Sequence, residues 1–221
     1  MSAADRPWEA HGYPGAEPWV PQRPTAQRLE DAVQECRGCD LFRDATQAVM
    51  GRGPARARLM LVGEQPGDKE DLDGRPFVGP AGRLLDEALA EAGIAREVVY
   101  RTNAVKHFRF TTRGKQRIHK SPARWQVAAC GPWLLAELDR VRPEVVVLLG
   151  GTAGQAVYGA SFRVGASRGR VLQWPHLWAD RAAGSVVATT HPAAVLRSRH
   201  RTEDLAALVS DLRVAAALLE G

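Results

Sequence analysis

Continuous apolar runs bounded by turn residues recur along this sequence, and they constrain its fold more strongly than any other feature. The clearest run is Glu144–Gly150 (EVVVLLG), and three others have the same character: Arg58–Gly63, Val98–Asn103 and Ser185–Thr189. A strand that is apolar on both faces is typical of a parallel sheet covered by helices on both sides. The runs therefore predict an α/β fold, a three-layer α/β/α arrangement with a central, mainly parallel four-stranded sheet.

Helical patterns separate these runs, as such a sheet requires. Thr25 is suited to cap a helix that continues to about Glu35. Further helices are predicted at Pro80–Ala92, Pro122–Arg140, Thr152–Tyr158 and Thr202–Leu219. The Pro-rich residues 1–24 predict an extended N-terminal arm, and residues 25–221 predict a single domain.

Composition narrows the class of protein. The length of 221 residues suits one domain, and the formal net charge of +5 indicates either a nucleic-acid partner or simply a basic enzyme with small substrates. No apolar run approaches the ~20 residues of a membrane helix, and the N-terminus lacks the apolar region of a secretory signal. The cysteine count of 3 is odd, so a disulfide framework is not expected. We expect a cytoplasmic protein with no membrane partner.

Residues able to do chemistry follow the strands. Ligands of parallel sheets bind beyond the carboxyl ends of the strands, and four segments lie there: residues 63–68 (GEQPGD), 103–107 (NAVKH), 150–154 (GGTAG) and 190–197 (THPAAVLR). The first makes a tight turn that holds Glu64 and Gln65 at the sheet edge, although an ordinary strand-to-helix turn has the same pattern. It lacks the Lys-Ser/Thr end of a phosphate loop. Phe77, between turn formers, either stacks on a flat ring or anchors its loop in the core.

The cysteines have the spacing of metal ligands. Cys36 and Cys39 form a CxxC pair, Cys130 lies far downstream in a predicted helix, and His107 is a candidate fourth ligand. An iron–sulfur cluster and a Cys3His zinc site fit these residues equally well. Two surface cysteines and one core cysteine are the alternative without a metal.

Residues 101–124 carry many Lys and Arg side chains and no Asp or Glu. Phe108, Phe110 and Trp125 lie within or beside them. Unbroken positive charge with interleaved aromatics is typical of a segment that binds a phosphate backbone, whereas most basic runs are solvated surface. His119 lies in this segment and acquires a function only if the segment folds over a site.

Taken together, these motifs resemble the uracil-DNA glycosylase superfamily, and in particular its iron–sulfur branch, family 4. The resemblance covers about residue 25 to the C-terminus and rests on the CxxC pair, GEQPG, GRPFVGPAG, TNAVK, Cys130 and HPAAVLR. At two places the sequence departs from the family 4 pattern and resembles the narrower UdgX branch, whose members join covalently to uracil-containing DNA. His107 stands where family 4 has cysteine, and a basic insertion ends in Arg117-Ile118-His119. Gln116 replaces an arginine of that branch's motif, and His-Pro-Ala-Ala replaces the common His-Pro-Ser.

The resemblance implies a role for each residue. Phe77 would stack on uracil, Asn103 would pair with its O4 and N3–H edge, and His191 with the turn at Gln65 would bind O2. Glu64 would place its charge near C1′ of the sugar, and Glu70 or a neighbour would exclude the methyl group of thymine. Gly67, Asp68 and Arg197 are further substrate-binding candidates. The implied DNA-binding residues are Arg109, Arg113, Lys115, Arg117 and Lys120, and the implied ligands of a [4Fe–4S] cluster are Cys36, Cys39, His107 and Cys130.

The resemblance also implies that His119 captures the sugar at C1′ after uracil is cleaved from it, which yields a dead-end adduct. Three alternatives remain open from the sequence: a turnover glycosylase in which His119 only contacts DNA, a non-catalytic module for single-stranded DNA, and a small-molecule α/β enzyme. The expected partner is uracil-containing DNA, including single strands, bound by a monomer.

Overall fold

The structure is a computed structural model that describes residues 6–175 and 184–220. Its main sheet has five strands in the order β2-β1-β5-β7-β6. A separate two-stranded hairpin is formed by β3 and β4. The strands are β1 (Leu59–Gly63), β2 (Val99–Asn103), β3 (Phe110–Arg113), β4 (Gln116–His119), β5 (Val145–Leu149), β6 (Val171–Leu172) and β7 (Ser185–Thr189).

Helices cover both faces of the main sheet. They are α1 (Ala26–Gln34), α2 (Asp68–Asp73), α3 (Pro80–Glu91), α4 (Arg124–Val141), α5 (Gly151–Tyr158), α6 (Val164–Ser167), α7 (Pro192–Arg197) and α8 (Arg201–Glu220). Within the ranges described, no helix is long and apolar enough to cross a membrane.

Alternation along the strands produces the three layers. In β1, Leu59 and Leu61 pack in one core cluster with helices α3 and α8. Met60 and Val62 point to the other face, into a second cluster that includes residues of α4 and α5. Successive side chains of a strand point to opposite faces, so a strand apolar at every position must be covered on both sides. The predicted three-layer α/β/α class is therefore confirmed.

The parallel part of the sheet is the predicted one. Strand β1 pairs in parallel with β2 and β5, and β5 pairs in parallel with β7. The structure adds a fifth strand, since Val171 and Leu172 pair antiparallel with β7 at the sheet edge. Two residues are too short to show a strand pattern, so the sequence predicted four strands.

Local capping chemistry accounts for the helix boundaries. The Thr25 side chain accepts a hydrogen bond from the Arg28 N–H at 3.2 Å, as predicted for the start of α1. Helix α4 begins at Arg124, two residues after the predicted Pro122, because the side chain of Gln126 accepts from the Ala123 N–H at 2.7 Å. That bond satisfies one of the free donors at the helix start.

The basic segment contains a hairpin that the sequence did not predict. Strands β3 and β4 pair from Phe110 with His119 to Arg113 with Gln116, and Gly114 turns the chain with a φ of 60°. Its strands carry exposed charged and polar side chains, so they lack the apolar pattern by which the other strands were predicted. The hairpin is positioned by contacts to the rest of the protein.

A buried ion pair supports the end of β2. Lys106 donates from Nζ to Glu137 Oε2 at 2.6 Å, and both side chains have an exposed fraction of 0%. The same Nζ donates to Thr102 Oγ1 at 2.7 Å and to the carbonyl oxygen of Asn103 at 2.6 Å. Glu137 also accepts from the Tyr100 hydroxyl at 3.0 Å and from the Gly51 N–H at 2.8 Å. All of these polar groups are satisfied by one another, which is the condition for burying them.

We expect Lys106→Met to lower the free energy of unfolding by about 3–5 kcal/mol, because it leaves the Glu137 carboxylate charged and unpaired in the core. Urea unfolding measures the loss. Adding Glu137→Gln should recover a large part of it, since the amide keeps an acceptor for Tyr100 and Gly51 without a charge. If the double variant were no more stable than Lys106→Met, the loss would come from packing and the charge argument would be wrong.

Candidate active site

The carboxyl ends of the parallel strands surround one cavity of about 490 Å³, within the usual size range of small-ligand sites. Strands β1, β2 and β7 each lead into it. Eight of the nine catalytic and substrate-binding residues predicted from the sequence line this cavity: Glu64, Gln65, Gly67, Phe77, Asn103, His119, His191 and Arg197. The ninth, Asp68, lies outside it, paired with Arg117.

Glu64, directly after β1, has one engaged carboxylate oxygen and one free one. Thr152 of α5 donates a hydrogen bond from its hydroxyl to Oε2. Oε1 is buried without a hydrogen-bond partner in the described part of the chain, and it lies 3.4 Å from Nε2 of His119. The backbone carbonyl of Glu64 is held by the Val105 N–H at 3.0 Å. Thr152 thus fixes the carboxylate and Val105 the backbone of Glu64, while the free carboxylate oxygen faces the imidazole.

Gln65 attaches the base of the hairpin to the main sheet. Its Nε2 donates to the carbonyl oxygens of Arg109 and Lys120, each at 3.1 Å, and its Oε1 accepts from the Arg109 N–H at 3.0 Å. Arg109 and Lys120 flank the two strands of the hairpin and also pair with each other, at 3.0 Å. His119 Nε2 lies 3.0 Å from the same amide nitrogen. The amide therefore acts as a cross-strand clamp that sets where His119 stands.

Phe77 and Asn103 are buried in the cavity wall by close packing. Phe77 has an unusual φ of 57°, and its ring lies 6.4 Å from that of His191. A Cβ added at Gly82 would collide with the Phe77 backbone, and one at Gly63 would collide with the Asn103 amide and the Phe77 ring. A non-glycine residue in the left-handed region persists only where its surroundings impose it. The two glycines permit the close packing that surrounds Phe77 and Asn103 in the cavity wall.

His191 is a neutral hydrogen-bond donor in this cavity. Its Nδ1 accepts from the Ala193 N–H at 3.1 Å, so the ring proton resides on Nε2. Burial lowers the pKa of His191 to about 4, which keeps the ring uncharged at neutral pH. The proline after it starts α7. The strand end, the proline and the backbone bond together fix both the tautomer and the direction of the ring.

Glu70 closes the loop between α2 and α3. Its carboxylate accepts from the Gly67 N–H at 3.2 Å and from the Gly79 N–H at 2.8 Å, and it lines the cavity. Ionised oxygens accept such bonds strongly. The part of Glu70 in excluding a methyl group stays a prediction.

The predicted DNA-binding residues divide into two groups. Arg113, Lys115 and Lys120 are exposed on the hairpin, and Arg109 is partly buried, with Nη1 donating to the Ser121 carbonyl at 2.7 Å. Arg117 instead points into the protein.

The guanidinium of Arg117 is bound by two carboxylates. It donates to Asp68 Oδ1 and to Asp71 Oδ2, both at 2.6 Å, and it lies over the rings of Phe108 and Phe110. Asp71 is fully buried. In this conformation Arg117 anchors the hairpin to α2, so its charge is already neutralised by the protein. A direct DNA contact by Arg117 stays an untested prediction.

The four candidate ligands are all buried: Cys36, Cys39, His107 and Cys130. The three cysteines are free thiols in one core cluster, and burial raises the pKa of each, that of Cys39 to about 12. Burial lowers the pKa of His107 to about 4. Within residues 6–175 and 184–220, no three His, Cys, Asp or Glu side chains are grouped closely enough to hold a metal ion.

Hydrogen-bond donors nevertheless surround the three sulfurs. Cys36 accepts from the indole N–H of Trp133 at 3.3 Å and from the backbone of Gly38. Cys39 accepts from the backbone of Leu41, and Cys130 accepts from the Lys106 N–H at 3.3 Å. Such donors are better matched to thiolates than to neutral thiols, which accept only weakly.

A parallel sheet whose carboxyl edge holds a buried ring, an amide, a neutral imidazole and a carboxylate defines an α/β enzyme for a flat, hydrogen-bonding substrate. The cationic hairpin at the rim adds a surface for a polyanion.

Comparison with known proteins agrees with this class. The model of the uracil DNA glycosylase superfamily matches residues 50–213. The type-4 uracil-DNA glycosylase of Thermotoga maritima is 38% identical over 172 residues, covering 77% of this chain and 83% of that protein. The type-4 enzyme of Archaeoglobus fulgidus is 38% identical over 177 residues, covering 77% of this chain and 84% of that protein. The type-4 enzyme of Pyrobaculum aerophilum is 36% identical over 178 residues, covering 77% of this chain and 84% of that protein. The chain belongs to the uracil-DNA glycosylase superfamily.

Two residues that hold side chains of the site escaped the sequence reasoning. Thr152 contacts Glu64, and Asp71 binds Arg117. Thr152 belongs to the GGTAG segment, whose place after β5 was a usable signal. Asp71 had no such signal, since it lies in a run of charged residues that reads as an exposed helix surface.

Proposed function

We propose that this chain is a uracil-DNA glycosylase of the UdgX branch, which excises uracil and is then captured covalently at C1′ of the sugar through His119. One observation carries the proposal. The hairpin holds His119 in the same cavity as Phe77, Asn103 and His191, with Nε2 3.4 Å from Glu64 Oε1. A histidine that only contacted the DNA backbone would have no reason to face the catalytic carboxylate.

Recognition of uracil requires that the base leave the stack and enter the cavity. The Phe77 ring offers a flat surface for stacking, and the Asn103 amide offers both a donor and an acceptor to the O4 and N3–H edge. Cytosine presents the opposite pattern on that edge, so the same amide orientation would reject it. The buried position of Asn103, at 3% exposure, makes such a mismatch costly.

His191 supports departure of the base. Cleavage breaks the C1′–N1 bond, and the electron pair leaves with uracil as an anion. The Nε2–H of His191 donates to O2 as negative charge develops there, which stabilises the transition state more than the bound substrate. Because a neutral imidazole is a very weak acid, it stabilises the anion by a hydrogen bond and keeps its own proton.

Glu64 and His119 act on the sugar. The free Oε1 of Glu64 stabilises the positive charge that develops at C1′. Both N–H groups of the Gln65 amide, 3.0 Å from Nε2 of His119, are donated to the carbonyl oxygens of Arg109 and Lys120, and His119 acts in the tautomer that carries its proton on Nδ1. Nε2 then holds a lone pair, and the Nε2–C1′ bond forms from it. The ring becomes an imidazolium beside the Glu64 carboxylate, and it has no proton on Nε2 to lose, so the adduct persists.

Two anchors keep His119 in place for this step. Gln65 clamps the base of the hairpin, and Arg117 ties β4 to Asp68 and Asp71. We assign Gln65 and Arg117 a positioning role, and we leave phosphate contacts to the exposed cations of the hairpin. An oriented nucleophile can outcompete water because its entropy of approach is already lost.

We expect Arg113→Ala combined with Lys115→Ala to flatten the dependence of log Kobs on log salt for a uracil-containing single strand. On a single strand each phosphate contact contributes roughly 0.7 to that slope, so two lost contacts reduce it by about 1.4. Binding titrations between low and moderate salt measure it, with His119→Ser in every protein to prevent capture. The matched control, Arg56→Ala with Arg96→Ala, removes the same charge before β1 and β2, at the opposite edge of the sheet. Equal slopes in both double variants would contradict a specific role of the hairpin.

We also propose a [4Fe–4S] cluster held by Cys36, Cys39, His107 and Cys130. Three buried sulfurs surrounded by N–H donors fit thiolate ligands, and hydrogen bonds to sulfur are a usual feature of such sites. The cluster would tie α4 and the segment after β2 to the CxxC pair.

We expect the purified protein to be brown and to contain about four iron atoms per chain. Iron and zinc analysis of anaerobically purified protein measures this. One zinc per chain in a colourless protein would contradict the cluster and favour the Cys3His zinc site.

The test of the proposed function is a denaturing gel of the protein mixed with a labelled single-stranded oligonucleotide containing one uracil. We expect a shifted band that resists heat and detergent and is stoichiometric with the protein, together with free uracil. Repeated uracil release without a shifted band would indicate an ordinary turnover glycosylase. Binding without release would indicate a non-catalytic DNA-binding module. An oligonucleotide with thymine in place of uracil is the control.

A further inference from the structure

The N-terminal arm crosses both segments that carry the cysteines. The Gly15 N–H donates to the carbonyl of Gly38 at 3.1 Å, and Gly38 lies between Cys36 and Cys39. The next residue, Ala16, donates from its N–H to the carbonyl of Ala129 at 2.9 Å, beside Cys130. Two consecutive residues of the arm therefore join the CxxC segment to α4 across the proposed cluster site.

The arm turns one large side chain inward. From residue 6 to residue 24, the buried positions are Trp8, Gly15 and Ala16. Trp8 has an exposed fraction of 7% and belongs to the same core cluster as the three cysteines. A Cβ added at Gly15 would lie 2.7 Å from the Trp8 ring, and one at Gly38 would lie 2.6 Å from the Gly15 backbone. The indole, the arm and the CxxC segment are thus stacked without free space between them.

Trp8 also carries an unused donor. Its Nε1 is buried and has no hydrogen-bond partner in the described part of the chain. Leaving such a donor unpaired costs about 1–3 kcal/mol, and native proteins rarely retain one without a reason. The sulfur atoms of a cluster are acceptors that the polypeptide itself does not supply.

Stacked aromatic rings hold the outer side of the arm. His11 stacks on Trp125 of α4, with ring centroids 4.3 Å apart and planes inclined by 16°. Tyr13 stacks on the same indole at 5.6 Å. The arm is therefore attached to α4 through its rings as well as through its backbone.

We propose that the N-terminal arm is a cover for the iron–sulfur cluster, in which Trp8 closes the site to solvent and oxidants and offers its indole N–H to a cluster sulfur. The inference rests on the proposed function for the cluster. Access of oxidants governs how fast thiolate sulfur is oxidised, so opening the cover should shorten the lifetime of the cluster without removing any ligand.

Two glycines of the arm provide a matched pair of variants. Gly12 and Gly15 have nearly equal positive φ angles, 75° and 74°. A Cβ at Gly12 has nothing within 4 Å, whereas a Cβ at Gly15 meets the Trp8 ring. Gly12→Ala and Gly15→Ala thus impose the same backbone strain, and only the second displaces Trp8. Trp8→Ala removes the ring itself.

The experiment follows the loss of the cluster's visible absorbance in air, and the iron released to a ferrous chelator, for the full-length proteins. We expect Trp8→Ala and Gly15→Ala to lose the cluster at least about tenfold faster than the parent protein, and Gly12→Ala to stay within about twofold of it. Thermal unfolding monitored by circular dichroism shows which variants fold, and if Trp8→Ala does not, the glycine pair decides. Equal rates for Gly12→Ala and Gly15→Ala would overturn the proposal. A parent protein without iron would instead overturn the cluster assignment.

Discussion

Replacing His119 with serine is expected to abolish the adduct that survives heat and detergent, while uracil is still released. His119 projects from the hairpin with half of its side chain exposed, and bond cleavage is assigned to Glu64, Asn103 and His191. The shorter serine leaves space in which water can reach C1′. We expect the adduct to fall below detection, uracil release to remain within about tenfold of the parent rate, and the variant to turn over repeatedly. Gels and released uracil, measured on the same samples, show both effects.

The control for this change is the neighbouring residue. Lys120→Ser removes an amine that could itself attack the sugar, at the same end of the hairpin, and should leave the adduct intact. A lysine would form a Schiff base with the opened sugar, which borohydride would trap. Peptide mapping of the nuclease-trimmed adduct should place the sugar on the peptide that contains His119. An undiminished adduct in His119→Ser would refute the assignment.

Replacing Glu64 with glutamine is expected to slow both uracil release and adduct formation by about 10²–10³-fold, since both follow the same cleavage step. Glutamine keeps the shape and can still accept from Thr152, but it removes the negative charge that stabilises the sugar cation. Single-turnover rates of uracil release and of capture measure the two effects. The matched control is Glu87→Gln on α3, the same change at an exposed position that does not line the cavity.

The two readouts separate the possible roles of Glu64. Equal losses in release and capture support stabilisation of the developing cation. Normal release with slow capture would contradict that role and confine Glu64 to orienting His119, to which its free Oε1 lies close. Normal rates of both would exclude Glu64 from the chemistry.

Much of the fold was predictable because its signals are local. The apolar runs predicted β1, β2, β5 and β7 to within one residue at each end, and the Thr25 cap was predicted correctly. A continuous apolar run by itself indicates a strand that is buried on both faces. The edge strand β6 and the hairpin were not predicted as strands, because the first is too short and the second is stabilised by contacts outside itself.

The site was predictable in part for the same reason. In a parallel sheet the carboxyl ends of all strands meet at one edge, so Glu64, Asn103 and His191 were expected to converge, and they line one cavity. The sequence did not show which basic side chains of the hairpin are exposed and which are bound by carboxylates of the protein. Arg113 and Arg117 have the same charge, yet one is exposed and the other is bound by Asp68 and Asp71.

By itself, the sequence determined the α/β class, the positions of the parallel strands along the chain, and the polar residues that follow each strand. Each of these depends on residues adjacent in the chain, whose burial and hydrogen bonding follow from their own pattern. The tertiary structure alone decided that Gln65 clamps a hairpin 54 positions away, and that Trp8 packs in the same core cluster as the cysteines. Such contacts join side chains that no local pattern relates, and they form only because folding the sheet and its helices brings distant segments within hydrogen-bonding distance.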